Sequence, residues 1–338
     1  MSDARLDLSP WISPRAAGAT ASTGPTPPGG ASIAVGTMNF GKRTPAAEAE
    51  KIVARAIEGG HRFFDTANAY TDGESERILG KAVKKQRAEV AIATKVGFGR
   101  NAGKPEGLAK ARVLAAFDES RERLGTDYVD VYYLHVPDPA TPIEETLEAM
   151  AELFQRGAIR AFGVSNYASW QMLEIDLACD RVGIARPVLS QQMYNLLIRQ
   201  LDIEYFRFAR KHPVHTTVYN ALAGGLLSGR HVADAPIPGG SRFDKNKLYQ
   251  GRYWTARMFE AVDTYREVAA GLGMTLLELA YAWLGSRPGV DSVLVGPATV
   301  EQLDAATAAV GKGVSEEAAR RIDEIHRGFM GTDANYAR

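Results

Sequence analysis

Four side chains with the chemistry to move a proton stand where the chain changes abruptly from apolar to polar: Asp65, Tyr70, Lys95 and His135. Arg62-Phe63-Phe64-Asp65 is a short aromatic run ending on a carboxylate, and Tyr70 follows in the next loop. A free phenol titrates near pH 10, too high for ready proton exchange at neutral pH. A neighbouring ammonium favours the phenolate and lowers that value; Lys95 supplies one, held in place by Asp65 as a charged pair. A neutral His135 then donates a hydrogen bond to a substrate oxygen and fixes its position. A tuned phenol beside an oriented carbonyl suits protonation of an alkoxide formed by hydride attack. No side chain gives hydride, so a nicotinamide cofactor is implied.

Such a set needs a frame that brings distant segments to one mouth. Short apolar runs at residues 33–36, 62–65, 89–94, 128–134, 159–164, 188–191, 214–219 and 290–295 read as strands. Helical stretches fall between them at 44–58, 74–85, 106–124, 142–156, 169–178 and 202–210, with another at 300–310 after the last strand. The first helix is expected to begin on Thr44 as N-cap, with Pro45 in its first position, and to stop at Gly59-Gly60. Regular alternation of strand and helix means parallel βα units. Eight units favour a closed (β/α)8 TIM barrel over an open doubly wound sheet. The rhythm pauses after the seventh strand, over residues 222–256, a Gly- and Pro-rich loop too long for a plain connector and so expected to be functional. Helices at 255–270 and 275–285 precede the eighth strand, and an extra terminal helix is expected at 315–328.

In such a barrel the active site gathers at the C-terminal ends of the strands. Here the second strand stops at Asp65, the third at Lys95, the fourth at His135, the fifth at Ser165-Asn166, the sixth at Gln191-Gln192 and the seventh at Tyr219. That strand ends are simply polar accounts for Ser165, Asn166 and Gln191. It accounts less well for an Asp, a Lys, a His and a Tyr converging on one space.

These residues and the words around them resemble the aldo-keto reductases. The shared words are Gly36-Thr37-Met38, Phe64-Asp65-Thr66-Ala67, Gly73-Glu74-Ser75-Glu76, Leu134-His135, Gly163-Val164-Ser165-Asn166 and Leu222-Ala223-Gly224-Gly225-Leu226-Leu227-Ser228-Gly229. The resemblance implies a (β/α)8 barrel with Asp65, Tyr70, Lys95 and His135 as its catalytic tetrad. It implies that Ser165, Asn166 and Gln191 hold the nicotinamide carboxamide and that Tyr219 stacks on its ring. Leu222, Gly224, Leu226 and Ser228, with Arg230, would wrap the pyrophosphate, where glycines let backbone N–H groups approach. Gly296 to Gln302 would meet the adenosine end, and Arg242 is the candidate for a 2′-phosphate contact. NADP(H) follows from family habit, with NAD(H) not excluded. The chain departs from the pattern in three places. The hairpin that usually closes the barrel floor is not recognisable in residues 1–30. Ala298 and Ala306 stand where Ser and Asn are usual. Asn220-Ala221 follows Tyr219 where Ser-Pro is common.

The bulk properties agree with a water-soluble enzyme acting on a small-molecule carbonyl. Of 338 residues, 45% are hydrophobic and 24% charged, and forty basic residues balance forty acidic ones, so no global field draws nucleic acid or an anionic membrane. Cys179 is the only cysteine, which excludes an internal disulfide and a cysteine-based zinc cluster. No apolar run approaches membrane-spanning length, and the chain reads as cytoplasmic. Residues 1–30 are rich in Pro, Ala and Gly and read as a mobile or loosely draped arm in which only Leu6 to Ile12 is expected to pack. Residues 31–338 would form a single barrel domain.

Weaker signals are set aside. Gly97-Phe98-Gly99-Arg100-Asn101-Ala102-Gly103 misplaces the third glycine of a dinucleotide fingerprint. His212 and His215 are separated by Pro213 and lack a third ligand, so no metal site is expected. Phe40, Phe98, Trp170 and Trp254 either line a substrate pocket or pack. Two alternatives accompany the NADP(H)-dependent carbonyl reductase: a dedicated reductase of a nucleotide-linked keto-deoxysugar, and a cofactor-sensing binding subunit with little turnover, for which the N-terminal arm would be a partner-binding device. A phosphate-sugar enzyme on the same fold would leave the tetrad unexplained.

Overall fold

A computed structural model describes residues 31–101, 103–332 and 336, so the expected arm lies outside the described residues. Eight strands form the frame: β1 (Ser32–Gly36), β2 (Phe63–Asp65), β3 (Ala91–Val96), β4 (Val129–Leu134), β5 (Ile159–Ser165), β6 (Leu189–Met193), β7 (His215–Tyr219) and β8 (Ser292–Val295). Every neighbouring pair is parallel, and the ring closes in the order β1-β8-β7-β6-β5-β4-β3-β2. This is the (β/α)8 barrel that the alternation implied. Its seam joins Ser32 to Ser292, whose hydroxyls lie 2.6 Å apart.

The outer layer comprises α1 (Ala46–Glu58), α2 (Glu74–Val83), α3 (Lys110–Leu124), α4 (Ile143–Gln155), α5 (Ser169–Val182), α6 (Tyr205–Lys211), α7 (Lys247–Tyr253), α8 (Ala256–Gly271), α9 (Leu276–Ser286), α10 (Val300–Lys312) and the terminal α11 (Glu316–Met330). Each main helix buries one stripe against the sheet. In α1 that stripe is Ala49, Ile52, Val53 and Ala56, at helical spacing. Full burial of Ile52 and Val53 stabilises by roughly 1.5–3 kcal/mol each. No single helix among the described residues is long and apolar enough to cross a membrane.

Local chemistry moved several expected boundaries. Thr44 is not the N-cap of α1: Pro45 takes that place, and the buried Thr44 hydroxyl donates instead to the Ala298 carbonyl at 3.2 Å. The third strand starts at Ala91, after a short 3-10 segment (Lys84–Glu89), and runs on through Val96. The third helix starts at Lys110 rather than 106, because Glu106 closes a small hairpin, Arg100–Asn101 against Lys104–Pro105. The long segment after β7 contains a 3-10 turn (Ala223–Ser228) and α7, which Asn246 caps by accepting from the Tyr249 N–H.

The alternation of side chains along a strand then decides what faces the lumen. Ala34, Phe63, Ala91, Ala93, Val131, Tyr133, Ala161 and Leu189 form one buried cluster inside the ring, distinct from the larger layer between strands and helices. Counting on by two from these residues reaches Gly36, Asp65, Lys95, His135, Ser165 (through Gly163) and Gln191. Gly163 is required there: a Cβ would lie 2.5 Å from the ring of Tyr133.

Candidate active site

At the C-terminal mouth the lumen turns polar. Asp65 and Lys95, whose side chains are 1% and 0% exposed, form a buried ion pair in which the ammonium donates to Oδ1 of the carboxylate. Lys95 Nζ also donates to the Thr66 carbonyl at 2.8 Å and approaches the Tyr70 hydroxyl at 3.5 Å. The second oxygen of Asp65 accepts from Gln191 Nε2 at 2.9 Å, so one carboxylate joins β2, β3 and β6. Tyr70 opens a single turn in which Thr71 and Asp72 take left-handed φ values of 51° and 52°. The Thr71 hydroxyl pins this strained turn to the Phe40 carbonyl at 3.2 Å. His135 is the first residue beyond β4, 8% exposed, with its ring centroid 6.0 Å from that of Tyr70 in an edge-on arrangement.

The electrostatics correct one expectation. Burial, aided by the Asp65 carboxylate, pushes the Tyr70 phenol up from its ordinary value rather than down, with the Arg242 charge opposing. The reason lies in the distances: the ammonium of Lys95 is spent on Asp65 and Thr66 and stands farther from the phenol. Burial also lowers Lys95, against the pull of Asp65. The result is a phenol held protonated, the form a proton donor requires. Burial and the Lys95 charge hold His135 well below the usual imidazole range, so it is neutral, and its Nδ1 has no hydrogen-bond partner among the described residues.

Ser165, Asn166, Gln191 and Tyr219 meet on the adjoining rim. The Ser165 hydroxyl donates to the Gln191 carbonyl at 2.9 Å. Asn166, at φ 64°, donates to the His135 carbonyl at 2.9 Å and accepts from the Tyr219 hydroxyl at 2.6 Å. Beyond Tyr219 the chain is held open by left-handed residues: Asn220, Ala223, Gly224 and Gly225 all have positive φ. Asn220, where Ser-Pro is common, caps this turn by accepting from the Gly224 N–H at 2.8 Å, and its amide donates to Tyr253 at 2.6 Å. Leu226 is fully buried and Leu222 half-buried. The Ser228 hydroxyl donates back to Gly225, and Arg230 is exposed.

Arg242 is not a solvated loop charge. It donates to Met38 Sδ at 3.3 Å and to Asn39 Oδ1 at 3.2 Å, with its guanidinium 5.5 Å from the Tyr249 ring centre. Asn39 is the hub: its amide donates to the Gly296 carbonyl at 2.9 Å, and its oxygen also accepts from Arg43 at 3.3 Å. Arg43 bonds two further carbonyls, of Gly240 and Ser241. Burial and the nearby Arg242 charge both lower Arg43. Neither guanidinium has a carboxylate partner among the described residues. Sequence reasoning missed Asn39 and Arg43, although Asn39 directly follows the Gly36-Thr37-Met38 word at the end of β1 and Arg43 lies four residues further on. Gln302 sits exposed in the first turn of α10, where its side-chain oxygen accepts from the Ala298 N–H at 2.9 Å. Ala306 is buried beneath that helix.

The weaker candidates separate. Phe98 stands at the mouth, 58% exposed, with its ring 5.0 Å from His135. Phe40 is core, and Trp254 packs in a cluster with His231, Phe243 and Phe259. Trp170 is exposed in the first turn of α5. His212 stacks on Phe208, whereas His215 shares a 2.6 Å hydrogen bond with Ser292 at the barrel seam.

A family model described as the aldo/keto reductase family matches residues 32–327. Among curated proteins, aflatoxin B1 aldehyde reductase member 2 of Homo sapiens is 35% identical over 322 residues, spanning 90% of this chain and 88% of the relative. A probable voltage-gated potassium channel subunit beta of Arabidopsis thaliana is 33% identical over 272 residues, spanning 79% and 83%. Aldo-keto reductase family 7 member A3 of Homo sapiens is 33% identical over 302 residues, spanning 84% and 90%. With a match that runs from β1 into α11, and relatives aligned over most of their length, the chain belongs to the aldo/keto reductase family.

Proposed function

We propose that this chain is an NADP(H)-dependent reductase that converts an aldehyde or ketone to an alcohol, with Tyr70 as the general acid. The observation that carries the reading is the chain Gln191–Asp65–Lys95–Tyr70, buried as far as the ammonium, which holds a protonated phenol beside a neutral imidazole at the polar mouth of the lumen. When bound, a reduced nicotinamide supplies the hydride that no side chain can give. Tyr70 Oη passes its proton to the substrate oxygen. His135 donates a hydrogen bond to the same oxygen and so orients the carbonyl. Lys95 steadies the negative charge left on the Tyr70 oxygen, and Asp65 keeps the ammonium from drifting.

The residues present fit such a cofactor. Ser165, Asn166 and Gln191 would hold its carboxamide, and Tyr219 would stack on the ring. The left-handed backbone at Gly224 and Gly225 lets main-chain N–H groups approach a pyrophosphate; a Cβ at Gly224 would lie 2.7 Å from Tyr249. Arg230 and Ser228 would complete that contact, with Gly296 and Gln302 at the adenosine end. Two guanidiniums without a carboxylate partner among the described residues, Arg242 and Arg43, favour a phosphorylated ribose over a plain one.

A second reading, a cofactor-sensing subunit with little turnover, draws support from the channel-subunit relative. The complete tetrad favours turnover. A dedicated reductase of a nucleotide-linked keto-deoxysugar would use the same four residues.

Calorimetric titration with NADPH and, separately, NADH tests the assignment in wild type and Arg242→Ala. NADPH binding weakened about 10- to 100-fold in the variant, with NADH little changed, is the expected result for loss of a charged phosphate contact. A preference for NADH would overturn the cofactor and point to Ala298 and Ala306 as the reason. Binding of neither would sink the hydride mechanism.

A further inference from the structure

Phe98 is flanked by two glycines, Gly97 and Gly99, on the loop that brings its ring to 5.0 Å from that of His135. What fixes the loop is Glu106, whose side chain is 4% exposed. Glu106 Oε2 accepts from the Gly97 N–H at 2.8 Å and from the Gly99 N–H at 3.2 Å, so one oxygen grips the backbone on both sides of Phe98. The Glu106 N–H donates in return to the Gly99 carbonyl at 3.0 Å. The other oxygen accepts from Asn68 Nδ2 at 2.7 Å and from Arg112 at 3.2 Å. Asn68 lies in the turn between Asp65 and Tyr70, and its own N–H reaches the Lys95 carbonyl. Arg112 neutralises the buried carboxylate and is itself held by both oxygens of Glu119.

We propose that Glu106 is a positioning residue: it locks the aromatic wall made by Phe98 to the turn that carries Tyr70, and thereby sets how tightly a bulky carbonyl substrate is held at the mouth. This rests on the reductase reading and deepens it. Glu106 touches neither substrate nor reacting atoms; it acts through Phe98. Losing the carboxylate frees the peptide N–H groups around Phe98 and lets the ring leave His135. A large flat substrate that leans on Phe98 then loses binding, while proton donation by Tyr70 continues. Glutamine would largely preserve the clamp. Its oxygen still accepts from Gly97 and Gly99, its amide can donate to Asn68 Oδ1 once the Asn68 amide turns over, and Arg112, which loses its acceptor at position 106, keeps both oxygens of Glu119.

The test is a double-mutant cycle of wild type, Phe98→Ala, Glu106→Ala and both together, with Glu106→Gln alongside. Steady-state rates are measured with NADPH and either 4-nitrobenzaldehyde or propanal. The expected result for Glu106→Ala is a KM for 4-nitrobenzaldehyde raised about tenfold, with kcat within about threefold and a smaller rise for propanal. Glu106→Gln stays within about threefold of wild type, and adding Glu106→Ala to Phe98→Ala raises KM by less than about twofold. Additive KM effects, or equal losses for both aldehydes, would overturn the proposal, because they mean Glu106 does not act through Phe98. If Glu106→Ala does not fold, Glu106→Asp, whose shorter arm withdraws from Gly97 and Gly99, is read in the same cycle. A wild type that turns over neither aldehyde removes the reductase reading and this proposal with it; turnover with an additive cycle removes only the role of Glu106.

Discussion

Replacing Lys95 by methionine isolates the interaction on which the site is built. The two side chains of the Lys95–Asp65 pair are 0% and 1% exposed, so neither has water to fall back on. Methionine nearly matches the lysine stem in volume, and the change therefore removes charge rather than packing. Asp65 keeps one side-chain donor, Gln191 Nε2 at 2.9 Å, and is otherwise a buried carboxylate without a counter-charge. Breaking a buried pair on one side costs about 3–5 kcal/mol. Unfolding entropy of about 2.1 cal/mol/K per residue, applied to 338 residues, gives about 0.7 kcal/mol per degree, so Tm falls by roughly 4–7 °C. Removing both charges should cost less than removing one. Asp65→Asn with Lys95→Met leaves a neutral amide that still accepts from Gln191, and should recover at least about 2 kcal/mol of the loss. Thermal scans of wild type, Lys95→Met, Asp65→Asn and the double variant at pH 7.5, followed by circular dichroism, provide the measurement. If Lys95→Met shifts Tm by less than about 2 °C, or if the double variant is worse than the single one, the pair does not act as a desolvated ion pair and the reasoning fails.

Two further outcomes follow from the same geometry. Tyr70→Phe should lower kcat by about 10²- to 10⁴-fold, the usual contribution of a positioned acid, with nucleotide affinity by calorimetry unchanged; retention of more than a tenth of wild-type kcat would assign the proton to another group. Stability should fall on acidification, because burial lowers His61, His135, His231 and His326, the last to about 4. The unfolded chain binds these protons below about pH 6.5 while the folded chain refuses them, so the stabilising difference is full above that pH and is lost as pH falls toward the folded values. Urea unfolding at stepped pH measures the slope, and His326→Phe should flatten it; an unchanged slope would show that His326 does not contribute.

The sequence disclosed the parts of this site that depend on strand position. Asp65, Lys95, His135, Ser165 and Gln191 lie in phase with Phe63, Ala93, Val131, Ala161 and Leu189, so a period of two already assigns them to one interior. Tyr70 was reachable because its turn is short. Asn39 and Arg43 were not, since their meeting with Arg242 joins positions 203 residues apart through a loop whose path no local pattern encodes. Thr44 misled because a threonine before proline is a good cap signal, yet its hydroxyl found the Ala298 carbonyl across the barrel seam. Glu106 misled as a helix start for a related reason: its carboxylate serves the Phe98 loop instead. The direction of the Tyr70 shift was equally hidden, because it depends on how deeply the phenol sinks and on which neighbours claim the ammonium.

The seam between β1 and β8 has a consequence for how the chain is made. Ser32 and its partner Ser292 are separated by 260 residues, so the ring cannot close until synthesis has passed Ser292 and β8 has left the ribosome. At about 5–20 residues per second that is a wait of roughly ten seconds to a minute. Throughout it, β1 can pair on one side only, through Val35 and Gly36 with β2, while Ile33, Ala34 and Val35 present an open edge where β8 will lie. A full-length chain diluted from denaturant meets no such delay, because both halves of the seam are available from the first instant. Nascent and refolding chains of this protein therefore face different hazards on the way to the same barrel, and the nascent one needs cover for its first strand.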